Sequence, residues 1–137
     1  MVKGCKDLAV LPEFAGFSNL RGVDVVAVRL FFRRKIPLPH AACVAGGGMA
    51  PGLESTGLTF YHLNVLQDEY SLVEESVIEV DFYHANPLVP MRDEDVMETA
   101  LRVLNKAVPD LALSSDMLED FAVVRAPQVE LHTDLTQ

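Results

Sequence analysis

Residues 23–32 read Val23-Asp24-Val25-Val26-Ala27-Val28-Arg29-Leu30-Phe31-Phe32 and carry the strongest strand signal in this chain. β-Branched and aromatic residues dominate this stretch, and it contains neither glycine nor proline. Apart from Arg29, the alternate positions after Asp24 are apolar on both sides of the predicted strand. A strand that is apolar on both sides is typical of a sheet covered on both faces. The stretch therefore predicts a strand inside a layered fold.

The elements around this strand predict an α+β fold. Residues 58–66 and 77–84 are predicted as two further strands that pair as a wide hairpin, and residues 121–125 as a last strand that ends at Pro127. Residues 40–57 are rich in glycine and proline and are predicted as a loop. Residues 92–107 form the main predicted helix, with Asp93, Glu94 and Asp95 in its first turn. We expect a mixed β-sheet with one main helix packed on one face.

One helix is not enough to cover both faces of the predicted sheet. An amphipathic helix covers one face, whereas the strand at residues 23–32 is apolar on both. We therefore expect residues 1–137 to form a single partial domain. Its second face would be covered by a missing part of a larger protein or by a second copy of the chain.

The charge balance limits the classes of partner. The chain has a net charge of -9, with 20 acidic and 11 basic residues, which repels phosphate backbones and predicts no nucleic-acid partner. No apolar run approaches the roughly 20 residues of a membrane-spanning helix, so we expect no transmembrane segment. The first residues lack the apolar stretch of a signal peptide and the Arg/Ser bias of a transit peptide.

Motifs of known catalytic sites are missing from the sequence. The glycines at positions 46–48 and 52 are not followed by the Lys-Ser/Thr of a phosphate loop or by a helix pattern. The four histidines show no metal-ligand spacing. The acids at 93–95 are explained by the helix dipole. We therefore predict no catalytic, cofactor-binding or metal-binding residue in this chain.

Three polar residues in the predicted strands are candidates for lining a substrate cavity. Arg29 lies within an apolar strand, so it needs either an ion pair with a cross-strand acid such as Asp81 or a polar cavity. His62 and Asn64 share one predicted strand face with Leu58 and Phe60. That mixture suits the wall of a ligand cavity, and it equally suits a half-exposed sheet face.

From about residue 11 to residue 129 the chain resembles the substrate-domain region of the phytoene and zeta-carotene desaturases, within the flavin-containing amine oxidase superfamily. The resemblance is carried by four stretches, LRGVDVVAVRLFFRRKIPLP, STGLTFYHLNVLQDEY, SVIEVDFYHANPLVPMRDEDVMETALRVL and VVRAPQVELH. It implies non-covalently bound FAD, hydride removal from an apolar substrate, and an apolar tunnel between flavin and sheet.

The resemblance also implies what this chain lacks. The family holds FAD with an N-terminal GxGxxG unit and a C-terminal Gly-Asp motif, and neither occurs here. We therefore expect a piece of a larger flavoprotein that is inactive alone, with the missing flavin domain over the open sheet face. The resemblance allows a plastid location. The alternative from the residues is a stand-alone, non-catalytic α+β binding or dimerisation module.

Overall fold

A computed structural model describes residues 23–46 and 48–129, and the fold they form is α+β. The strands are β1 (Val23–Phe32), β2 (Ala42–Ala45), β3 (Gly57–His62), β4 (Val77–Tyr83) and β5 (Leu118–Val129). The helices are a single turn, α1 (Leu63–Leu66), and the main helix, α2 (Asp93–Ala107). Short 3-10 turns occupy Asp68–Tyr70, Pro109–Leu111 and Ser115–Met117. Residues 11–22 and 130–132, which belong to the family resemblance, lie outside the described residues.

The five strands form one sheet in the order β2-β3-β4-β1-β5, and every neighbouring pair is antiparallel. The predicted mixed sheet is therefore wrong. The helical connection from β4 through α2 to β5 does join two strands of the same direction, but β1 lies between them. Parallel strands thus never become neighbours, and β1 pairs with β4 on one side and with β5 on the other.

Helix α2 and one face of the sheet enclose the core. β1 has the predicted bounds, and its core-facing residues are Val26, Val28, Leu30 and Phe32, which are at most 2% exposed. β4 alternates in burial, and its core-facing residues Ile78, Val80 and Phe82 are fully buried. Helix α2 contributes Val96, Met97, Ala100, Leu101, Val103 and Leu104. Burying each large member stabilises the fold by roughly 1.5–3 kcal/mol.

The predicted loop at residues 40–57 contains a strand. β2 pairs antiparallel with β3 along its whole length, from Ala42 opposite Tyr61 to Ala45 opposite Leu58. It is a four-residue edge strand of small residues, so it lacks the long apolar alternation that marks an inner strand. The glycines at 48 and 52 have positive φ, which fits the turns that follow β2.

The last strand is longer than predicted. β5 runs from Leu118 to Val129 and passes through Pro127, where the strand was expected to end. β5 is an edge strand, and its register with β1 shifts between Val23 and Val25, opposite residues 126–129. Proline is tolerated at an edge and at a bulge because no ladder hydrogen bond is required from its nitrogen.

Candidate functional site

The sheet face away from α2 is called the open face here, because no described helix covers it. Period-two alternation and the strand register place side chains from all five strands on this face. They are Ala42, Val44, Thr59, Tyr61, Val77, Glu79, Asp81, Tyr83, Val25, Ala27, Arg29, Phe31, Asp120, Ala122, Val124 and Ala126. Val44 and Val124 are 83% and 63% exposed. The face therefore combines small and apolar edges with a polar centre.

Arg29 organises the centre of the open face. Its Nε and Nη2 both donate to Oε2 of Glu79, at 3.0 and 2.7 Å, and its Nη1 donates to the hydroxyl of Tyr70 at 3.0 Å. The guanidinium also lies 5.8 Å from the centre of the Tyr70 ring. The hydrogen bond to Glu79 raises the pKa of Arg29, against the opposing effect of burial. Arg29 is therefore a fixed cation held between a carboxylate and an aromatic ring.

The partner of Arg29 is a cross-strand acid, but Asp81 was the wrong one to expect. The register of β1 and β4 sets Arg29 opposite Glu79 and Asp81 opposite Ala27. A shift of register by two residues would set Arg29 opposite Asp81, and single-strand patterns do not specify the register. Tyr70 carried no signal in the sequence, since it reaches the open face from a 3-10 turn, where its ring packs edge-on against Phe31.

Asp81 lies beside this ion pair, two residues along β4 and thus on the same face. Its Oδ1 is shielded from solvent and has no hydrogen-bond partner among the described residues. Burial, followed by a hydrogen bond and charge repulsion from Glu79, raises the pKa of Asp81 to about 7, although Arg29 acts in the opposite direction. The β4 alternation could have located this acid pair, because Glu79 and Asp81 lie opposite the buried set.

All three tyrosines of the chain lie on or over the open face, and the chain has no tryptophan. Tyr61 and Tyr83 belong to β3 and β4, and the Tyr83 hydroxyl lies 3.4 Å from that of Thr59. Aromatic rings present a large apolar surface with a polar tip, so they suit contact with mostly apolar molecules. The protein's intrinsic fluorescence therefore comes from this one region.

His62 does not share a face with Arg29. It is the last residue of β3 and pairs with Ile78, so it follows Leu58 and Phe60 on the helix side of the sheet. It lines a cleft of about 740 Å³ at the strand ends, together with the basic residues 33–35. Burial, and then the positive charge of Lys35, lower the pKa of His62.

Asn64 lies in α1, so the predicted strand over residues 58–66 is wrong beyond His62. Its Nδ2 donates to the carbonyls of Tyr70, Val73 and Glu75, and its Oδ1 accepts from the Val77 amide at 2.7 Å. These bonds satisfy backbone groups that a longer β3–β4 ladder would have used. Asn64 lines the cleft with His62 but is fully engaged in ordering the loop, and Arg29 lies on the opposite face.

The described residues do not fit a flavin. A pyrophosphate is held by a glycine-rich turn that opens a helix, where backbone amides and the helix dipole meet it. Here the glycine-containing turns lead into β3. The first turn of α2 carries Asp93, Glu94 and Asp95, whose carboxylates repel a phosphate.

Within residues 23–46 and 48–129 no cluster of three or more histidine, cysteine or acidic side chains could hold a metal ion. In the same ranges no helix has both the length and the apolar character needed to cross a bilayer.

Comparison of the sequence with protein-family models and with curated proteins gave no match.

Proposed function

We propose that this chain is the substrate-binding part of an FAD-dependent oxidoreductase similar to the carotene desaturases. In the complete protein, hydride passes from an apolar substrate to FAD, which a separate flavin domain holds. The chain shapes one wall of the substrate cavity and has no activity alone. The resemblance of the four sequence stretches is the basis for this reaction class.

The observation that carries the proposal is the asymmetry of the sheet. On the helix side the inward residues of β1 and β4 are at most 2% exposed, while the other face is partly open, with Val124 at 63% and Val44 at 83% exposure at its edges. Exposed apolar positions next to tyrosine rings suit contact with an apolar molecule. Arg29 belongs to this wall. His62 and Asn64 belong to the separate cleft, so we propose substrate contact for them only if the cavity extends around the strand ends.

The test uses tyrosine fluorescence, because all three tyrosines lie on or over the open face. Zeta-carotene in detergent micelles should quench this emission when it binds the purified chain. Val124→Glu places a charge at the β5 edge of the open face and should weaken binding about tenfold, the effect of roughly 1.4 kcal/mol.

Leu72→Glu is the matched control for this measurement. Leu72 is 96% exposed, but it lines the cleft with His62 and Asn64. The variant introduces the same charge and should change binding less than about twofold. A larger effect of Leu72→Glu than of Val124→Glu would move the substrate to the cleft, and an absence of quenching would contradict the proposal.

The alternative is a non-catalytic dimerisation module whose second copy covers the open face. It predicts a doubled mass in solution that Val124→Glu reduces to that of one chain, without quenching by zeta-carotene. A purified chain that retains yellow FAD through gel filtration would contradict the expectation that the flavin is held elsewhere.

A further inference from the structure

The centre of the open face brings together one cation and two acids. Arg29 donates two hydrogen bonds to a single oxygen of Glu79, and its third goes to the neutral hydroxyl of Tyr70. Asp81 is therefore left outside the ion pair, although it lies on the same face of the same strand. If both acids were ionised, the centre would carry one uncompensated negative charge.

The surroundings of Asp81 oppose that charge. Its Oδ1 is shielded from solvent and accepts no hydrogen bond from a described residue. A buried carboxylate oxygen without a donor is strongly penalised, whereas a protonated carboxyl is itself a donor. A proton on Asp81, directed at Glu79, supplies the missing bond and removes the repulsion between the two acids. The raised pKa of Asp81 has the same causes.

Other titratable groups also face Asp81 from the described elements, and they do not produce the same change in charge. Arg29 on β1 remains positive, and its pKa is raised. Tyr83 on β4 remains neutral, because burial and its neighbours raise its pKa although the Thr59 contact lowers it. The remaining groups on or over this face are Tyr61 on β3, Tyr70 above β1 and Asp120 at the end of β5, opposite Phe31.

We propose that Asp81 and Glu79 share one proton, and that this proton makes the centre of the open face electrically neutral and able to bind uncharged, apolar molecules. Loss of the proton leaves a net negative charge under the bound molecule and weakens its binding. The identity of the occupant as the enzyme's substrate rests on the proposed function, whereas the shared proton does not.

The shared proton is tested first, on the full chain without ligand. Carboxyl carbon NMR follows the titration of Asp81, with its signal assigned by its loss in Asp81→Asn. We expect a midpoint near neutral pH, roughly three pH units above that of an ordinary aspartate. A midpoint near about 4 overturns the proposal, whatever the chain binds.

Binding is tested with the uncharged dye N-phenyl-1-naphthylamine at about pH 5.5 and about pH 8.5, on either side of the expected midpoint. Wild-type protein should bind about tenfold more weakly at the higher pH. Asp81→Asn, which keeps the shape and a donor toward Glu79, should bind equally at both. Glu98→Gln removes an exposed carboxylate on the solvent side of α2 and should behave as wild type.

The outcomes separate this inference from the proposed function. Equal dye binding by the wild type at both pH values contradicts the proton switch, even if zeta-carotene binds the open face. A pH-dependent dye affinity that Asp81→Asn abolishes supports the switch, even if zeta-carotene fails to bind. Thermal melts of both variants establish that they are folded.

Discussion

On β4, Ile78, Val80 and Phe82 face α2 and are fully buried, whereas the three residues between and after them, Glu79, Asp81 and Tyr83, face away and are only partly buried. The two sets are interleaved on one strand, yet they differ in chemistry and in surroundings. The helix-side set fills a close-packed core, where each side chain contributes to stability. The open-face set holds the acid of one ion pair, Glu79, and one carboxyl group with a raised pKa, Asp81. It therefore contributes less to the free energy of unfolding than the core set does, and it carries the titratable groups of the sheet.

The largest expected effect comes from the core side. Phe82→Ala removes a fully buried ring between the sheet and α2 and should lower the free energy of unfolding by about 3–5 kcal/mol. Val124→Ala, on the open face, should lower it by less than about 0.5 kcal/mol. Urea denaturation followed by circular dichroism measures both. Similar losses would mean that the open face is also packed, for example by a second copy.

An intermediate effect is expected for the ion pair at the centre of the open face. Arg29→Gln leaves Glu79, whose side chain is only 19% exposed, without its cation, and should cost about 1–2 kcal/mol. Arg33→Gln is the matched control, because the Arg33–Glu119 pair is 59% and 66% exposed. It should cost less than about 1 kcal/mol. Equal costs would show that the Arg29 network is no stronger than a surface ion pair.

A third expected effect has the opposite sign and depends on pH. The folded-state pKa of Asp81 is about 7, above that of the unfolded chain, so between about pH 4 and 7 the folded state binds more protons. The stabilising contribution of Asp81 is complete at lower pH and is lost as the pH rises through about 7. Asp81→Asn should therefore be more stable than wild type at about pH 8, with little difference at about pH 4. Urea denaturation at a series of pH values measures this, and parallel curves for the two proteins would contradict it.

Sequence reasoning located the elements whose signal is local. β1 is an unbroken run of mostly β-branched and aromatic residues, and β4 alternates apolar and polar residues. α2 has a charged first turn and a proline after its end, so all three were predicted within a residue of their bounds. β2 was missed because it is a short edge strand of small residues, and it lacks the long apolar alternation by which an inner strand is recognised. The extension of β5 was missed because proline normally ends a strand, and only its place at an edge and a bulge allows it here.

The candidate site was predicted in part. Arg29 stood out as a charge in an apolar strand, and of its two predicted surroundings the ion pair with a cross-strand acid is present, with Glu79 in place of Asp81. His62 and Asn64 were grouped with it on the assumption that β3 continues to residue 66. The Asn64 side chain instead binds three carbonyls of the following loop and the amide of Val77 at the start of β4. These partners come together only when the loop folds back on Asn64. Substrate contact by these three residues stays a prediction.

The sequence by itself determined which residues of each long strand share a face, because side chains alternate strictly along any extended chain. It also determined where the main helix begins and which side of it is apolar. Only the tertiary structure decided that the strands are all antiparallel, that Arg29 meets Glu79, and that Asp81 is left without a cation. Those outcomes depend on register and burial, which arise when residues about 50 positions apart in the chain pack together.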